Sequence, residues 1–434
     1  MLRPRRQCLN VNRDIKSPTR EELAAQFQTW EQPAYRVTQL LEWLYLRRVT
    51  AWAAMTNLPK ALRERLEQNF TLNALELDVR QGAPDATQKF LWRLSDGAFI
   101  ESVLIPANPA LYGEASDRHT LCVSTQVGCA YGCKFCASGL EGWKRNLEPH
   151  EIVEQILAVE RWHAQDNLNS RLSTLQPPSS PPVASPKSQI SDLNLEGPAN
   201  HPTLLSPCSA PARLINNLVI MGMGEPLANY EHLLKALKIL NAPWGGAIGA
   251  RKITISTSGL APQIRRLADE PFQFRLAISL HGATDEVRDR IMPVNRKHPL
   301  RELTDACEYY LAKKGRMITL EYILMAGLND GLEHAQPLAD LALRLHAKVN
   351  LIPYNRVEGL PWERPSEAAQ ERFASALANR KVAATLRREK GHDIDAACGQ
   401  LRLKTERAVR SDSRLASGSE GNTELSLNLT QRNT

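Results

Sequence analysis

One pattern recurs six times along the middle of this chain and restricts its fold more than any other feature. An apolar, β-branched run ends in a loop rich in glycine, serine or other polar residues, and a helical segment follows. Residues 121–126 lead into a cysteine-bearing loop and a helix over 149–162. Residues 217–221 lead to Gly222-Met-Gly-Glu-Pro226 and a helix around 233–240. Residues 252–256 lead to Thr257-Ser-Gly259 and a helix over 261–268. Residues 275–280 run into His281-Gly, 318–324 into a loop ending at Asp330, and 348–352 into Pro-Tyr-Asn355. Six βα-like units in series predict an α/β fold, a partial parallel βα barrel left open because it falls short of eight. In such barrels the chemistry sits on loops after the strand C-termini, and every polar motif of this chain falls there.

The flanking segments read differently. From about residue 18 to 80 the apolar spacing is helical, at Leu23, Phe27 and Trp30 and then Val37, Leu40, Leu41, Leu44 and Tyr45. Leu58-Pro59-Lys60 starts a further helix. Residues 89–106 predict a β-hairpin around Asp96-Gly97. The organisation expected is a helical accessory domain plus hairpin over 1–106, a core barrel over 115–393, and a C-terminal segment over 394–434 with a cysteine loop and a disordered tail. Within the barrel, residues 165–212 are dominated by Pro, Ser, Asn and Leu, a composition that predicts a disordered insertion.

No stretch approaches the roughly 20 apolar residues that span a membrane, and the basic start is followed by no apolar segment. Eight cysteines, three clustered and five scattered, fit a reducing cytosol better than a disulfide framework. The net charge of +7 favours an anionic partner. Basic residues cluster at Lys144-Arg145, Arg251-Lys252, Arg288 through Lys297, and Arg387-Arg388 with Lys390, each expected beside the active-site side. The competing reading is ordinary solvated surface.

Cys129, Cys133 and Cys136 place three thiols on one short loop, and the count of three is informative. A closed structural zinc site wants four ligands, whereas a three-thiolate 4Fe-4S cluster leaves one iron open to a small molecule. The next histidine, His150, falls inside a predicted helix. A zinc knuckle completed from afar is the alternative.

These cysteines, with the aromatic Phe135 before the last of them, resemble the motif of radical S-adenosylmethionine enzymes, in which the methionine part of the cofactor chelates the open iron. With Leu121-Cys-Val-Ser-Thr-Gln-Val-Gly-Cys129, Gly222-Met-Gly-Glu-Pro, Ser256-Thr-Ser-Gly, Ser279-Leu-His281 and Asp393-Ile-Asp-Ala-Ala-Cys398-Gly-Gln-Leu401, the likeness sharpens. From about residue 20 to 405, the insertion apart, the chain closely resembles the bacterial dual-specificity adenosine-C2 RNA methyltransferases, the RlmN family. The resemblance implies methylation of carbon 2 of an adenosine in 23S rRNA, in the peptidyl-transferase region, and of the adenosine beside the anticodon in certain tRNAs. Carbon 2 lies between two ring nitrogens and is too electron-poor for ordinary attack on a sulfonium methyl, so a radical route is needed.

By this resemblance Cys129, Cys133 and Cys136 bind the cluster, and Cys398 carries the methyl group through a covalent adduct with the RNA. Cys122 then attacks the Cys398 sulfur, leaving a disulfide for an external flavodoxin- or ferredoxin-type donor to reduce. Glu101 takes the carbon-2 proton. Gly224 and Glu225 meet the cofactor's amino group, and Ser256, Ser279, Leu280, His281 and Asn355 contact the cofactor at strand ends. Each has a plainer alternative: Cys122 as a small buried hydrophobe, Cys398 as an inert loop thiol, Glu101 as a solvent-facing strand residue, His281 as a satisfied core histidine. The sister enzymes that methylate carbon 8 share these cysteines. A non-catalytic iron–sulfur or zinc RNA-binding protein would need neither Cys122 nor Cys398. The implied location is cytoplasmic.

Overall fold

The N-terminal helices form where local signals are strong. In the computed structural model, which describes residues 13–83, 86–107, 117–174 (170–174 as backbone only), 213–387 and 399–408, helix α1 (Arg20–Thr29) opens with a capping box. The Glu22 amide donates to the Thr19 hydroxyl and the Thr19 amide to the Glu22 carboxylate, satisfying two amides a helix start leaves open. Leu23 and Phe27, one turn apart, are buried. Helix α2 (Tyr35–Leu41) buries Val37, Leu40 and Leu41 and continues through a π-turn over Glu42–Leu46. Helix α3 (Lys60–Asn69) follows Pro59, whose fixed φ suits a helix start. The helical reading fails at the end of this region. Residues Glu76–Gln81 are strand β1, paired antiparallel to β2 (Gln88–Arg93). Strand β2 turns at Asp96-Gly97 into β3 (Phe99–Pro106), as predicted.

The chain then enters β4 (His119–Cys122), which pairs antiparallel with β3 on one side and parallel with β7 (Asn217–Ile220) on the other. Strand β5 (Gln126–Gly128) and β6 (Trp143–Asn146) form a separate two-stranded ribbon that brackets the cysteine loop. Strands β8 (Ile253–Thr257), β9 (Arg275–Ser279), β10 (Thr319–Leu324) and β11 (Lys348–Pro353) continue the parallel run. The six predicted strands are thus present. A seventh, β12 (Ala384–Leu386), pairs parallel with β11 and is too short to announce itself in sequence. The order β1-β2-β3-β4-β7-β8-β9-β10-β11-β12 makes the N-terminal hairpin and the barrel strands one ten-stranded sheet.

Helices cover its outer face: α4 (Pro149–Thr174), α5 (Tyr230–Asn241), α6 (Ala261–Asp269), α7 (Asp285–Ile291), α8 (Leu300–Lys314), α9 (Leu332–Arg344) and α10 (Glu367–Asn379). Along β10, Tyr322 faces outward and stacks on Phe373 of α10 at 5.6 Å. Glu321, one residue earlier, therefore faces inward, where it accepts from the Asn350 side-chain Nδ2 of β11 at 2.6 Å. The same face carries Ser256, Ser279 and Asn350, while Leu320 and Leu324 share the face of Tyr322.

Helix α4 runs on to Thr174, so residues 165–174, expected to be disordered, are helical. Chain re-entry after the insertion is tied down. The Glu160 carboxylate on α4 accepts from the Leu214 and Ile215 amides and pairs with the buried Arg48 guanidinium at 3.2 Å. Both flanks lie where α4 ends and β7 begins, at the end of the barrel away from the strand C-termini. A last helix, α11 (residues 400–408), returns to the hairpin.

Candidate active site

The cysteine loop is held from three sides. The Cys129 amide donates to the Gly142 carbonyl within the β5–β6 ribbon at 3.2 Å. The Lys134 amide donates to the Ile291 carbonyl of α7 at 2.9 Å, and the Trp362 indole to the Lys134 carbonyl at 2.9 Å. Phe135 packs edge-on against His281 at 4.9 Å, joining the loop to the end of β9. Burial pushes the Cys129 thiol up to about 11 and the Cys133 thiol well above its usual value. Without iron the thiolates are costly, and a cluster would take the place of their protons. Among the described residues no three His, Cys, Asp or Glu side chains converge on a single metal-ion position. A 4Fe-4S cube takes one thiolate per iron, so its ligands need not converge, and this donor set suits it. His150 is engaged elsewhere, with Ser17 3.2 Å from its Nδ1.

The loop after β7 is sewn onto the approach to the cysteines. Met223 accepts from the amides of Thr125 and Gln126, and the Gly222 amide donates to Val123. Gly224 has φ +99°, and a Cβ there would lie 2.6 Å from the Gln126 side chain. The close approach of Gln126 thus requires a glycine here. Gln126 accepts from the Glu225 amide at 3.0 Å and donates to Asn146 at 2.8 Å. The Glu225 carboxylate is buried and accepts from the Leu227 amide at 3.0 Å and the Ser258 amide at 2.7 Å. Burial raises its pKa against the lowering effect of these bonds.

Ser256 and Ser279 meet across neighbouring strands, their hydroxyls 3.1 Å apart. Leu280 is fully buried, and its carbonyl accepts from Arg288 at 2.5 Å. His281 sits at φ +55°, and its Nδ1 accepts from the Ile323 amide at 3.1 Å, which puts the ring proton on Nε2. Burial, aided by Arg288, lowers its pKa to about 3, so the ring is neutral at physiological pH. Asn355, in the loop after β11, accepts from Arg364 at 3.1 Å.

Glu101 is not solvent-facing. It is 2% exposed, and Lys89, itself 1% exposed, pairs with its Oε2 at 3.2 Å. Its carboxylate also accepts from the Gly399 amide at 2.9 Å and the Arg402 amide at 2.7 Å, capping the start of α11. Cys398 lies outside the described residues, but its neighbour Gly399 is held between two parts of the site. Gly399 has φ +82°, and a Cβ on it would lie 2.9 Å from the Ser138 backbone, two residues past Cys136. Cys122, buried at the end of β4, pairs across the sheet with Val103 of β3, two residues from Glu101.

Sequence reasoning missed Lys89, Gln126, Gln155 and Arg288. Gln155 of α4 is fully buried and clamps Ser124 through both its backbone groups. Arg288 opens a basic cluster expected beside the active-site side. It is fully buried, and it donates to the carbonyls of Leu280 and Ser258 and to Asn295, stapling the ends of β8 and β9. A lysine within the apolar run of β2, on the face that Glu101 shares, was the available signal for Lys89.

The basic clusters are also redrawn. Arg251 and Lys252 precede β8, so they lie at the strand N-termini, away from the site. Arg145 is committed to Glu151 and Asp96. Lys144, Arg290, Arg296, Lys297 and Arg387 remain exposed, Lys144 pairing with Glu406, while Arg388 and Lys390 lie outside the described residues.

Residues 14–72 match the ribosomal RNA large subunit methyltransferase N-terminal domain, and residues 212–340 match the radical SAM superfamily. A probable dual-specificity RNA methyltransferase RlmN 3 of Opitutus terrae is 52% identical over 91% of this chain and 95% of its own length. A probable RlmN of Akkermansia muciniphila is 46% identical over 90% of this chain and 96% of its own length. The crystal structure of a radical SAM methyltransferase from Sphaerobacter thermophilus superposes with a TM-score of 0.73 at 38% identity, covering 89% of this chain and 98% of that one. Among the described residues no helix is long and apolar enough to cross a membrane. With its three-cysteine loop, its parallel strands and a C-terminal segment docked beside them, the chain belongs to the RlmN dual-specificity RNA methyltransferase family of radical S-adenosylmethionine enzymes.

Proposed function

We propose that this enzyme methylates carbon 2 of adenosine in 23S rRNA and in certain tRNAs, in the cytoplasm, by way of a methyl group carried on Cys398. The observation that carries the reading is the position of Gly399, held by Glu101 on one side and against the cysteine-loop residue Ser138 on the other. Gly399, the residue after Cys398, thus sits beside the loop that carries Cys129, Cys133 and Cys136.

When bound, the cluster and S-adenosylmethionine supply the methyl group, its conversion to a carbon radical and the sink for the one electron lost as the ring rearomatises. Glu225 would present a buried carboxylate to the cofactor's ammonium, with Gly224 beside it, and Ser256, Ser279, Leu280, His281 and Asn355 would hold the cofactor at the strand ends. Glu101 accepts the proton from carbon 2 once the Cys398-borne carbon is bonded there, and the C–H electron pair stays in the ring. Cys122 attacks the Cys398 sulfur. The new S–S bond forms as the C–S bond breaks, and the C–S pair goes to the departing carbon, which takes a proton to become the methyl group. The Cys122–Cys398 disulfide is then reduced by two electrons from an external donor of flavodoxin or ferredoxin type. The adenosine must leave its stack to reach a site this enclosed, and the exposed Lys144, Arg290, Arg296 and Lys297 are suited to phosphate contact.

The test is anaerobic reconstitution with iron and sulfide, followed by S-adenosylmethionine, reductant and unmodified 23S rRNA or tRNA. Mass spectrometry of the nucleosides is expected to find 2-methyladenosine. Finding 8-methyladenosine instead would move the chain to the chemistry of the sister enzymes.

A further inference from the structure

Strands β2 and β3 set Leu91 opposite Glu101 and Lys89 opposite Val103, so Lys89, Leu91 and Glu101 share one face of the hairpin. Helix α11 lies on that face. Leu401 packs with Leu91 and Phe99 in a small apolar cluster apart from the main core. Into this dry contact the chain places a carboxylate and an ammonium. Glu101 Oε2 receives Lys89 Nζ at 3.2 Å and the Gly399 amide at 2.9 Å, while Oε1 receives the Arg402 amide at 2.7 Å.

We propose that Lys89 is a positioning residue for the methyl transfer: it holds the Glu101 carboxylate against the start of α11, and so keeps the segment following Cys398 seated beside the cysteine loop. The proposal rests on the proposed function for its catalytic consequence, but its geometry stands apart from the identity of the substrate.

The physical argument concerns charge in a dry site. A helix N-terminus supplies only about half a positive charge, so two amides alone leave a buried carboxylate under-compensated. A full cation completes the balance. Without it, the carboxylate either takes a proton or turns toward water. Either outcome weakens the charge-assisted bonds to Gly399 and Arg402. Gly399 is also the residue seated against Ser138, so loosening it loosens the link from hairpin to cysteine loop. The same reasoning couples chemistry to release. When Glu101 accepts the carbon-2 proton its hold on α11 relaxes, at the step where Cys398 must be freed from the product.

The experiment compares wild type with Lys89→Met, Lys89→Arg and Glu101→Gln in the full chain with its cluster loaded. Hydrogen exchange is followed in peptides covering 399–408, the hairpin 88–106 and the cysteine loop, beside steady-state rates. Lys89→Met is expected to speed exchange in 399–408 by about tenfold or more, with the other two peptides and the iron content unchanged. It is expected to lower kcat by about tenfold or more, with KM for RNA within about threefold of wild type. Lys89→Arg restores both. Unchanged exchange in 399–408, or a rise spread equally over the hairpin, would overturn the proposal. Should Lys89→Met fail to fold, Glu101→Gln carries the test, since it must unseat the same peptide and no other. The exchange measurement needs no RNA, so a wrong substrate assignment would spoil the kinetic arm and leave this one intact.

Discussion

Glu101 and Glu225 are both buried carboxylates fed by two backbone amides, yet they stand in opposite electrostatic states. Glu101 has a lysine at 3.2 Å. Glu225 forms no ion pair among the described residues, its neighbours being backbone and hydroxyl donors, and burial raises its pKa. A compensated carboxylate anchors whatever supplies its donors, here the start of α11. An uncompensated one is a seat for an incoming cation, and the ammonium of S-adenosylmethionine has that chemistry. The two acids are thus suited to different work, one to holding the protein and the other, on the proposed function, to holding the cofactor.

The comparison breaks most visibly if the two acids are exchanged in consequence. Glu101→Gln is expected to lower 2-methyladenosine formation by about 10²- to 10⁴-fold, the usual scale for a lost acid–base group. Its affinity for S-adenosylmethionine should stay within about threefold of wild type, because no cofactor contact is removed. Rapid-quench assays and equilibrium dialysis read the two quantities separately. A cofactor affinity that fell with the rate would mean that Glu101 is not confined to the RNA side.

Glu225→Gln should do the reverse. A charge-assisted bond is worth about 1.5–3 kcal/mol, so cofactor binding is expected to weaken about 10- to 100-fold with iron content unchanged. The raised pKa gives this prediction a second edge. Only the carboxylate form attracts an ammonium, and Glu225 loses that form at a higher pH than an ordinary glutamate does. Wild-type affinity should therefore decline on acidification while cofactor charge is constant, beginning above the usual carboxylate range. The variant should lack that decline. His281 adds nothing to the profile near neutrality, since its pKa of about 3 keeps it neutral there.

The two acids were unequally legible in sequence, for a physical reason. Glu225 sits in a Gly-Met-Gly-Glu-Pro loop directly after an apolar run, so strand, turn and acid lie within ten residues. The same local logic gave the parallel strands and the cysteine loop. Glu101 meets Gly399 across 298 positions of chain, and no periodicity encodes a contact of that span. Only the likeness to known enzymes points to Glu101, and no local pattern pairs it with Lys89. Charge runs misled for a related reason. A cluster such as Arg251-Lys252 has no direction in sequence, and only the strand it precedes tells which end of the barrel it occupies. Arg288 groups in sequence with the exposed Arg290, Arg296 and Lys297, while its own side chain turns inward to four acceptors, the carbonyls of Ser258, Ser279 and Leu280 and the Asn295 side chain.

Arg288 sharpens the comparison on the Glu225 side. It ties the Ser258 carbonyl to the Leu280 carbonyl, and the Ser258 amide is one of the two that Glu225 accepts from. Arg288→Met would orphan these buried carbonyls and is expected to cost about 1–3 kcal/mol of stability, read as a lower Tm. Cofactor affinity should fall with it by several-fold. Exchange protection of residues 399–408 should not change, because among the described residues no contact of Arg288 reaches Glu101. Loss of protection there would show that the two acids share one support.

The smallest effect expected is from the largest deletion. Joining residue 174 to 213 through a short Gly/Ser linker removes the Pro/Ser-rich segment from between α4 and β7. Both flanks sit at the barrel end away from the strand C-termini, and their anchors are retained: Glu160 with the amides of Leu214 and Ile215, and Arg213 with the carbonyls of Gly245 and Gly246. Loop length enters stability only logarithmically, roughly 0.6 kcal/mol per doubling, so a shorter link should be neutral or slightly stabilising. Iron loading, cofactor affinity and turnover on a short tRNA anticodon stem-loop should each stay within about twofold of wild type. A selective loss on ribosomal RNA, with the stem-loop still methylated, would assign the segment to docking of the larger substrate. A loss on both, with the cluster loaded, would mean that the far end of the barrel communicates with Glu101 or Glu225, and the cofactor affinity would tell which.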